Sequence, residues 1–377
     1  MRICAFADTF LPLIGGAQTV LHNLATQLTR RGDQFSVLAP HVRGQDNHVA
    51  ANYSVHRYNS PISKRFGVRQ LLLPLGWRYF RQRFDILHCH SAYPCAYVAA
   101  TFKRGFDVPF VVRPYGGDVL SESRVCKHPR LKARVRATLA AADAVIAQGR
   151  FLRDVILNLG VPEDRVQIVN NGVDLKFFSQ GTPFPHPRPY LLGMGNLVKR
   201  KGFDLLIQAY ARCPAADVDL VIAGDGIERP SLERIAQELG VASRVRFIGH
   251  VEGQAKVDVY RSAMCLICPS RSEPFSNVIL ESLAAGLPVI ASATGGNEEQ
   301  IIHGEHGLLF PNEDVPALVD TMTRILQEAH LLSQLRARVP SFIQRFDWPQ
   351  VALQYHKIYE TVLGRKSAMQ PDAKRAA

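Results

Sequence analysis

The chain has no run of about 20 apolar residues, the length a helix needs to cross a bilayer, and the apolar stretch after Met1 and Arg2 stops at Asp8. Neither a membrane span nor a secretory signal core is expected, so the sequence reads as that of a chain made and kept in the cytosol. Cysteine points the same way. Seven Cys, an odd number scattered from Cys4 to Cys268, offer no disulfide framework, which fits a reducing compartment. The one close pair, Cys265 and Cys268, lies in an apolar run with no second pair to complete a zinc site, and two buried thiols are the expectation. His88 and His90 share a strand face, but no third ligand accompanies them. No nucleic-acid recognition motif accompanies the basic residues, so nucleic acid is not an expected partner.

What is present is enough apolar material for two cores: 377 residues, 47% of them hydrophobic, suit two domains. Charge is spread unevenly. Residues 1–180 hold 24 Lys and Arg against 12 Asp and Glu, whereas residues 181–377 hold 21 against 21. The whole net charge of +12 therefore lies in the first half, which should meet something anionic. Between Arg57 and Arg83 there are seven Lys and Arg and no acid, interleaved with Phe66, Leu71, Leu72, Leu73, Leu75, Trp77, Tyr79 and Phe80. Such a stretch suits a membrane surface, apolar side at the headgroups and cations on anionic lipid, with a break expected at Pro74. A second run, Arg124 to Arg136, adds six more. An ordinary domain helix with a solvated basic face is the competing reading.

Apolar strands at 2–7, 35–39, 86–89, 110–113, 144–147 and 166–169 alternate with helical stretches, the first of which has Val20, Leu21, Leu24 and Leu28 on one face. Alternation of this kind predicts an α/β domain with a doubly wound parallel sheet and ligands at the carboxyl ends of its strands. The Pro-rich GTPFPHPRPY (181–190) reads as a linker,. Strands at 190–194, 220–223, 244–248, 264–268 and 287–291 then alternate with helices starting near Gly202, Arg229, Gly253 and Ser276. The domains expected are 1–180 and 181–347, with a helix at about 348–364 returning to the first and a loose tail at 365–377.

The stretch PSRSEPFSNVILESLAAG (269–286) sets Glu273 in a loop and Glu281 inside a helix eight positions on, with Ser276 placed as its N-cap,. A carboxylate can accept hydrogen bonds from sugar or ribose hydroxyls, and a helix N-terminus can face phosphate. Further motifs stand in order along the chain: PLIGGAQ (12–18), HCH (88–90), YGGD (115–118), NNGVD (170–174), GNLVKRKG (195–202), AGDG (223–226) and TGGNEE (294–299).

Together these residues resemble the retaining glycosyltransferases of family 4, which have the GT-B fold of two facing Rossmann-like domains and a C-terminal helix crossing back to the first. The resemblance covers nearly the whole chain. It implies transfer of a sugar from a nucleotide donor, a UDP-sugar or GDP-sugar, to an acceptor with retention at the anomeric carbon. The acceptor expected is a lipid-linked or anionic glycan, in cell-surface or exopolysaccharide assembly, met at the inner face of the membrane. No cofactor or metal is expected, and Asp217-Val218-Asp219, which matches the acidic metal motif of the other major transferase fold, opens a strand here.

Breaking a sugar–diphosphate bond makes negative charge on the leaving oxygens, so fixed cations and N–H donors are needed. Arg200 and Lys201 can supply the cations, and Gly15 and Gly16 let backbone approach the phosphates. By the resemblance, Glu281 binds the ribose, Glu273 and the Gly295-Gly296 turn lie by the donor sugar, Glu299 helps hold that turn, and Asp225 sits near the nucleotide. His90, Gly117 and Asp118 belong to the acceptor side, and Glu273, Lys201 and His90 are the candidate catalytic residues. Glu281, Lys201 and Gly16 are expected to line one cleft. The proton of the acceptor hydroxyl passes to the leaving phosphate in such enzymes, so no general base is assigned. Two positions depart from the pattern: Asn196 stands where relatives often have Arg, leaving Lys199 or Arg200 to supply that cation, and Tyr115 stands where many have His. A nucleotide-sugar epimerase of similar shape and a non-catalytic sugar-nucleotide-binding protein are the rival readings.

Overall fold

The computed structural model describes residues 1–59 and 67–369; Lys64, Arg65 and Phe66 of the basic stretch and residues 370–377 of the tail lie outside the described residues. The chain forms two units, Met1–Asn171 with Trp348–Ala377, and Gly172–Asp347. The division thus falls after Asn171 and not after Gln180. The Pro-rich segment belongs inside the second unit because it is tied down: the Thr182 N–H and hydroxyl donate to Asp258 (2.8 and 3.0 Å), and the Phe184 N–H donates to Ser262 Oγ (2.8 Å).

In the first unit β1 (Arg2–Phe6), β2 (Gln34–Pro40), β3 (Ser54–Tyr58), β4 (Ile86–Cys89), β5 (Phe110–Val112), β6 (Ala144–Ala147) and β7 (Val166–Ile168) form a parallel sheet in the order β3-β2-β1-β4-β5-β6-β7. Around it lie α1 (Gly16–Arg30), α2 (Leu72–Arg81), α3 (Tyr97–Phe106), α4 (Arg124–Lys127), α5 (Pro129–Ala141) and α6 (Arg150–Asn158). In the second unit, after α7 (Leu175–Phe178), the sheet runs β10-β9-β8-β11-β12-β13, with β8 (Tyr190–Met194), β9 (Asp219–Ala223), β10 (Val245–Gly249), β11 (Leu266–Cys268), β12 (Val289–Ala293) and β13 (Gly307–Pro311). Its helices are α8 (Phe203–Tyr210), α9 (Arg229–Glu238), α10 (Gly253–Ser262), α11 (Asn277–Ala284), α12 (Asn297–Gln300), α13 (Val315–Gln327) and α14 (Ala329–Ile343). Each sheet is covered on both faces, which is why its central strands read as unbroken apolar runs,. The strands absent from the sequence expectation, β3 and β13, are edge strands, and SVHRY is only half-buried.

α15 (Trp348–Met369) belongs to the first unit, where Trp348, Val351, Tyr355, Tyr359 and Val362 pack with Val20, Leu21 and Leu24 of α1. Strand order reverses between β1 and β4 in one unit and between β8 and β11 in the other. Those are the places where open α/β sheets leave a crevice for ligands. The loops that leave these four strands contain Asp8 to Gly15, His90, Gly195 to Gly202 and Pro269 to Ser276.

Two expectations about the basic stretch need correction. Pro74 does not break it: α2 runs through Pro74, which sits in the first turn where a missing N–H costs little,. Two of its seven cations are also inward-facing. Arg78 is buried and donates to Ser36 Oγ (3.1 Å) and to the Gln82 backbone and side-chain oxygens (3.0 Å each). Arg57 donates to the carbonyls of Leu11, Pro40 and Asn47. Arg69, Arg81 and Arg83 are exposed, as are Leu73 (76%), Trp77 (57%) and Phe80 (65%), while Leu71, Leu75 and Tyr79 fill the core.

Candidate functional site

In the second unit the loops after β8 and β11 are held as one body. Gly202 adopts φ +69°, and a Cβ there would stand 2.0 Å from the Pro269 carbonyl oxygen, so only glycine fits between the two loops,. The Arg271 N–H donates to the Arg200 carbonyl (2.8 Å), and Arg200 Nη1 donates to the Ser272 carbonyl (2.7 Å). Arg271 forms a fork on Asp204 (2.8 and 2.7 Å), and Lys199 adds a third bond to that carboxylate (2.9 Å). Burial alone would raise the Asp204 carboxyl, but these cations win and hold it down to about 2,.

This clamp presents the predicted cations. Lys201 Nζ is in close contact with Glu273 Oε2, and Arg200 Nη1 lies 3.5 Å from the same oxygen. Glu273 is buried, Lys201 mostly so, and Arg200 half-exposed. Lys199, one of the two candidates to replace the arginine absent at Asn196, is committed to Asp204. Arg200 is the candidate whose geometry leaves it at the site.

The Gly295-Gly296 turn is fastened to the same loop. The Gly296 N–H donates to the Glu273 carbonyl (2.8 Å), and a Cβ on Gly296 would lie 2.1 Å from the Pro274 carbonyl oxygen. The Glu299 N–H donates to the Gly296 carbonyl (3.2 Å). Ser276 holds the N-cap position of α11, yet its side chain makes no cap bond. Instead Gln300 from α12 clamps its backbone, accepting from the Ser276 N–H (2.7 Å) and donating to its carbonyl (2.8 Å). Ser292 Oγ donates to the Ser270 carbonyl (2.5 Å), and Asn297 Nδ2 donates to the Ser292 carbonyl (3.2 Å). Sequence reasoning did not single out Gln300, Ser292 or Asn297. Their side chains act on backbone, so no charge or spacing marks them.

Glu281 is held from α10. Lys256 Nζ lies 2.7 Å from its Oε1, and the buried Tyr260 hydroxyl donates to its Oε2 (2.9 Å). Lys256 and Tyr260 are four apart and so share a helix face. That spacing was the available signal for two residues the sequence reading passed over. Asp225 accepts from Arg229 Nη1 (3.2 Å) and from the Gly226 N–H (2.7 Å). Cys265 and Cys268 are both buried and belong to the cores on opposite faces of the sheet. Among the described residues no three His, Cys, Asp or Glu are grouped to hold a metal ion.

The first unit gathers the other candidates at the ends of β1, β4 and β5. Gly15 takes the N-cap position of α1, where no side chain caps the helix. His90 is buried, and its Nδ1 lies 2.7 Å from the Tyr115 hydroxyl. Burial holds its pKa well below the usual histidine value, with the neighbouring His88 and Arg113 adding to the effect. Asp118 is buried and each carboxylate oxygen already accepts a backbone N–H, from Tyr115 (3.0 Å) and from Ala92 (2.5 Å). Its observed work is to join the loop after β5 to the loop after β4. Gly117 is exposed with open space around it. Asp8, which the sequence reading used only as the end of an apolar run, shares this region. Burial pushes its carboxyl up to about 6, and the charge of Asp118 adds to the rise.

Comparison with known proteins follows the same division. The description "Glycosyltransferase Family 4" matches residues 14–177, and "Glycosyl transferases group 1" matches residues 175–341. The chain is 30% identical over 294 residues to a D-inositol 3-phosphate glycosyltransferase of Frankia alni, covering 71% of this chain and 72% of that one. It is 27% identical over 372 residues to N-acetyl-alpha-D-glucosaminyl L-malate synthase of Bacillus anthracis, covering 94% and 96%. Among solved structures, Anabaena HepE in complex with UDP has the same fold, with a TM-score of 0.80 over 96% of this chain and 100% of that one at 19% identity.

Proposed function

This chain belongs to the family 4 glycosyltransferases, and from that premise we propose that it transfers a sugar, with retention, from a UDP-sugar to a hydroxyl of a lipid-linked or saccharide acceptor in cell-surface or exopolysaccharide assembly. The observation that carries the donor half is the pairing of two differently prepared carboxylates in one unit. Glu281 is oriented by Lys256 and Tyr260 with lone pairs to spare for a ribose diol,. Glu273 is bound to Lys201 and Arg200, which supports reading it as the anchor of the cations and not as a free base. In the reaction the bond from the anomeric carbon to the diphosphate breaks, and the acceptor oxygen bonds to that carbon on the same face. The acceptor proton goes to the departing phosphate oxygen. Arg200 and Lys201 then stabilise the charge that develops there. The UDP held by HepE supports uridine as the base to try first.

The membrane half of the proposal rests on α2. Leu73, Trp77 and Phe80 are exposed beside Arg69, Arg81 and Arg83, and the exposed cations of α4 and α5 add to the same unit. Arg81 stands over the Trp77 ring (5.1 Å) and Arg83 over that of Phe80 (5.9 Å), and apolar side chains with cations so placed suit an anionic lipid surface.

Thermal unfolding of the wild type and Glu281→Ala with UDP, GDP and ADP at equal concentration tests the donor site. Binding at about 100 times Kd stabilises by about 2.7 kcal/mol, roughly 5 to 10 °C for a unit of this size. UDP should stabilise the wild type and lose most of that effect in the variant. Equal, absent or Glu281-independent responses would overturn the assignment.

A further inference from the structure

Arg113, directly after β5, is wholly buried, yet among the described residues no carboxylate forms an ion pair with it. It donates to the Asn171 side-chain oxygen and to the Val169 carbonyl (3.5 Å), while its Nε has no partner. A buried cation without a counter-charge is costly unless neighbouring dipoles turn towards it. Two rings face it: the centre of Tyr115 lies 5.4 Å from the guanidinium carbon and that of Tyr355 5.6 Å. Burial pushes the Tyr115 phenol up to about 12, and the positive charge of Arg113 restrains it from going further.

Those facts give the bond between Tyr115 and His90 a direction. The nearby positive charge of Arg113 draws the lone pairs of the Tyr115 oxygen towards it, which turns the O–H to His90 Nδ1, 2.7 Å away,. His90 is neutral, because burial, His88 and Arg113 all oppose its protonation. A neutral imidazole accepting at Nδ1 carries its one proton on Nε2. His90 Nε2 is buried and has no hydrogen-bond partner among the described residues. Asp8 lies at the end of the neighbouring strand, and the His90 N–H bonds the Phe6 carbonyl of that strand (2.9 Å). A carboxylate there repels an anion and can accept from a hydroxyl, so the ligand oxygen best matched to the His90 donor is a neutral sugar hydroxyl.

We infer that Arg113 and Tyr115 are positioning residues that set His90 as a fixed Nε2–H donor to a hydroxyl of the sugar or acceptor, a role that rests on the glycosyltransferase reading. In this chain Tyr115 therefore works through His90 and does not itself meet the ligand.

The test is long-range 1H–15N correlation on 15N-histidine protein, wild type and Tyr115→Phe, with turnover measured alongside. Wild-type His90 should show one neutral tautomer, protonated on Nε2, across about pH 6 to 8. Tyr115→Phe should release it into exchange between both tautomers. The same variant should lower kcat about tenfold, the size of one lost hydrogen bond, with the Kd for UDP unchanged. His90→Gln, whose amide can replace an Nε2 donor, should retain more activity than His90→Ala. A wild-type His90 protonated on Nδ1, or a Tyr115→Phe protein with unchanged tautomer and unchanged kcat, overturns the inference. If the tautomer is as stated but no nucleotide binds, the transferase reading fails and the orientation of His90 stands.

Discussion

Replacing Gly296 by alanine would put a methyl group 2.1 Å from the Pro274 carbonyl oxygen and 2.9 Å from the Phe275 Cα. Carbon and oxygen in ordinary contact stand at roughly 3.3 Å, so the turn must retreat by about 1 Å. Both contacts are with backbone, which cannot swing aside as a side chain could. The retreat stretches the 2.8 Å bond from the Gly296 N–H to the Glu273 carbonyl, at about 1 kcal/mol. Overpacking adds about 1 to 3 kcal/mol. The total of about 2 to 4 kcal/mol should lower Tm by roughly 4 to 16 °C, as read by calorimetry or circular dichroism. Activity should fall further than stability, because the displaced loop carries Glu273 and, through it, Lys201 and Arg200. A 1 Å error at such a site costs about a hundredfold. Gly304→Ala separates strain from collision: Gly304 has φ +80° but nothing within 4 Å of a Cβ, so it should lose only about 1 to 2 kcal/mol and no kcat. A Gly296→Ala protein with wild-type Tm and wild-type kcat/KM would refute the reasoning.

Asp8 is raised from its ordinary 3.8 to about 6 in the folded chain, so the native state holds the proton more tightly than the unfolded state. Its burial as a charge costs stability above pH 6, and that cost is relieved as pH falls from about 6 towards 4. Asp8→Asn should therefore stabilise the protein at pH 8 by about 3 kcal/mol and converge with the wild type near pH 4; urea titrations showing no pH-dependent gap would exclude this. Tyr260→Phe leaves the Glu281 carboxylate with Lys256 alone and should weaken UDP binding about three- to tenfold by titration calorimetry, one hydrogen bond's worth; unchanged affinity would mean that Glu281 needs no orientation. Of the two tryptophans, Trp348 is buried and Trp77 is exposed, so a blue shift on adding vesicles rich in anionic lipid reports α2. It should appear, diminish with salt and vanish in Trp77→Ala; emission unmoved by such vesicles would count against a lipid surface.

Much of this arrangement was legible in the chain because it is local. Central strands covered on both faces must be apolar along their whole length, and loops that leave them at a reversal of strand order gather the glycines, cations and acids that sequence motifs display. What escaped notice depends on partners far apart in the chain. Lys256 and Tyr260 meet Glu281 across more than 20 residues, and Gln300 grips Ser276 from 24 residues away. Nothing in the residues around Arg113 shows that Asn171 will receive its guanidinium. Charge misled where long side chains turned inward: Arg57 and Arg78 look like part of a solvated basic run but serve carbonyls and a buried serine. Proline misled in the segment after Gly181, where the composition of a linker conceals a strap tied to α10 through Asp258 and Ser262.

The even balance of charge in the second half of the chain takes on meaning once the pairs are known. A site for a diphosphate needs cations, but two cations placed side by side in a partly buried loop repel each other and are costly to desolvate. Glu273 resolves this for Lys201 and Arg200, and Asp204 does so for Lys199 and Arg271. Each acid keeps its cations oriented in the folded protein, so in the proposed reaction little reorganisation would remain when charge develops on a leaving phosphate. Arg200 is the member able to move. It is half-exposed and stands 3.5 Å from Glu273, whereas Lys201 is in close contact with that carboxylate. On the proposed function, a diphosphate would draw Arg200 without unmaking the Lys201–Glu273 pair.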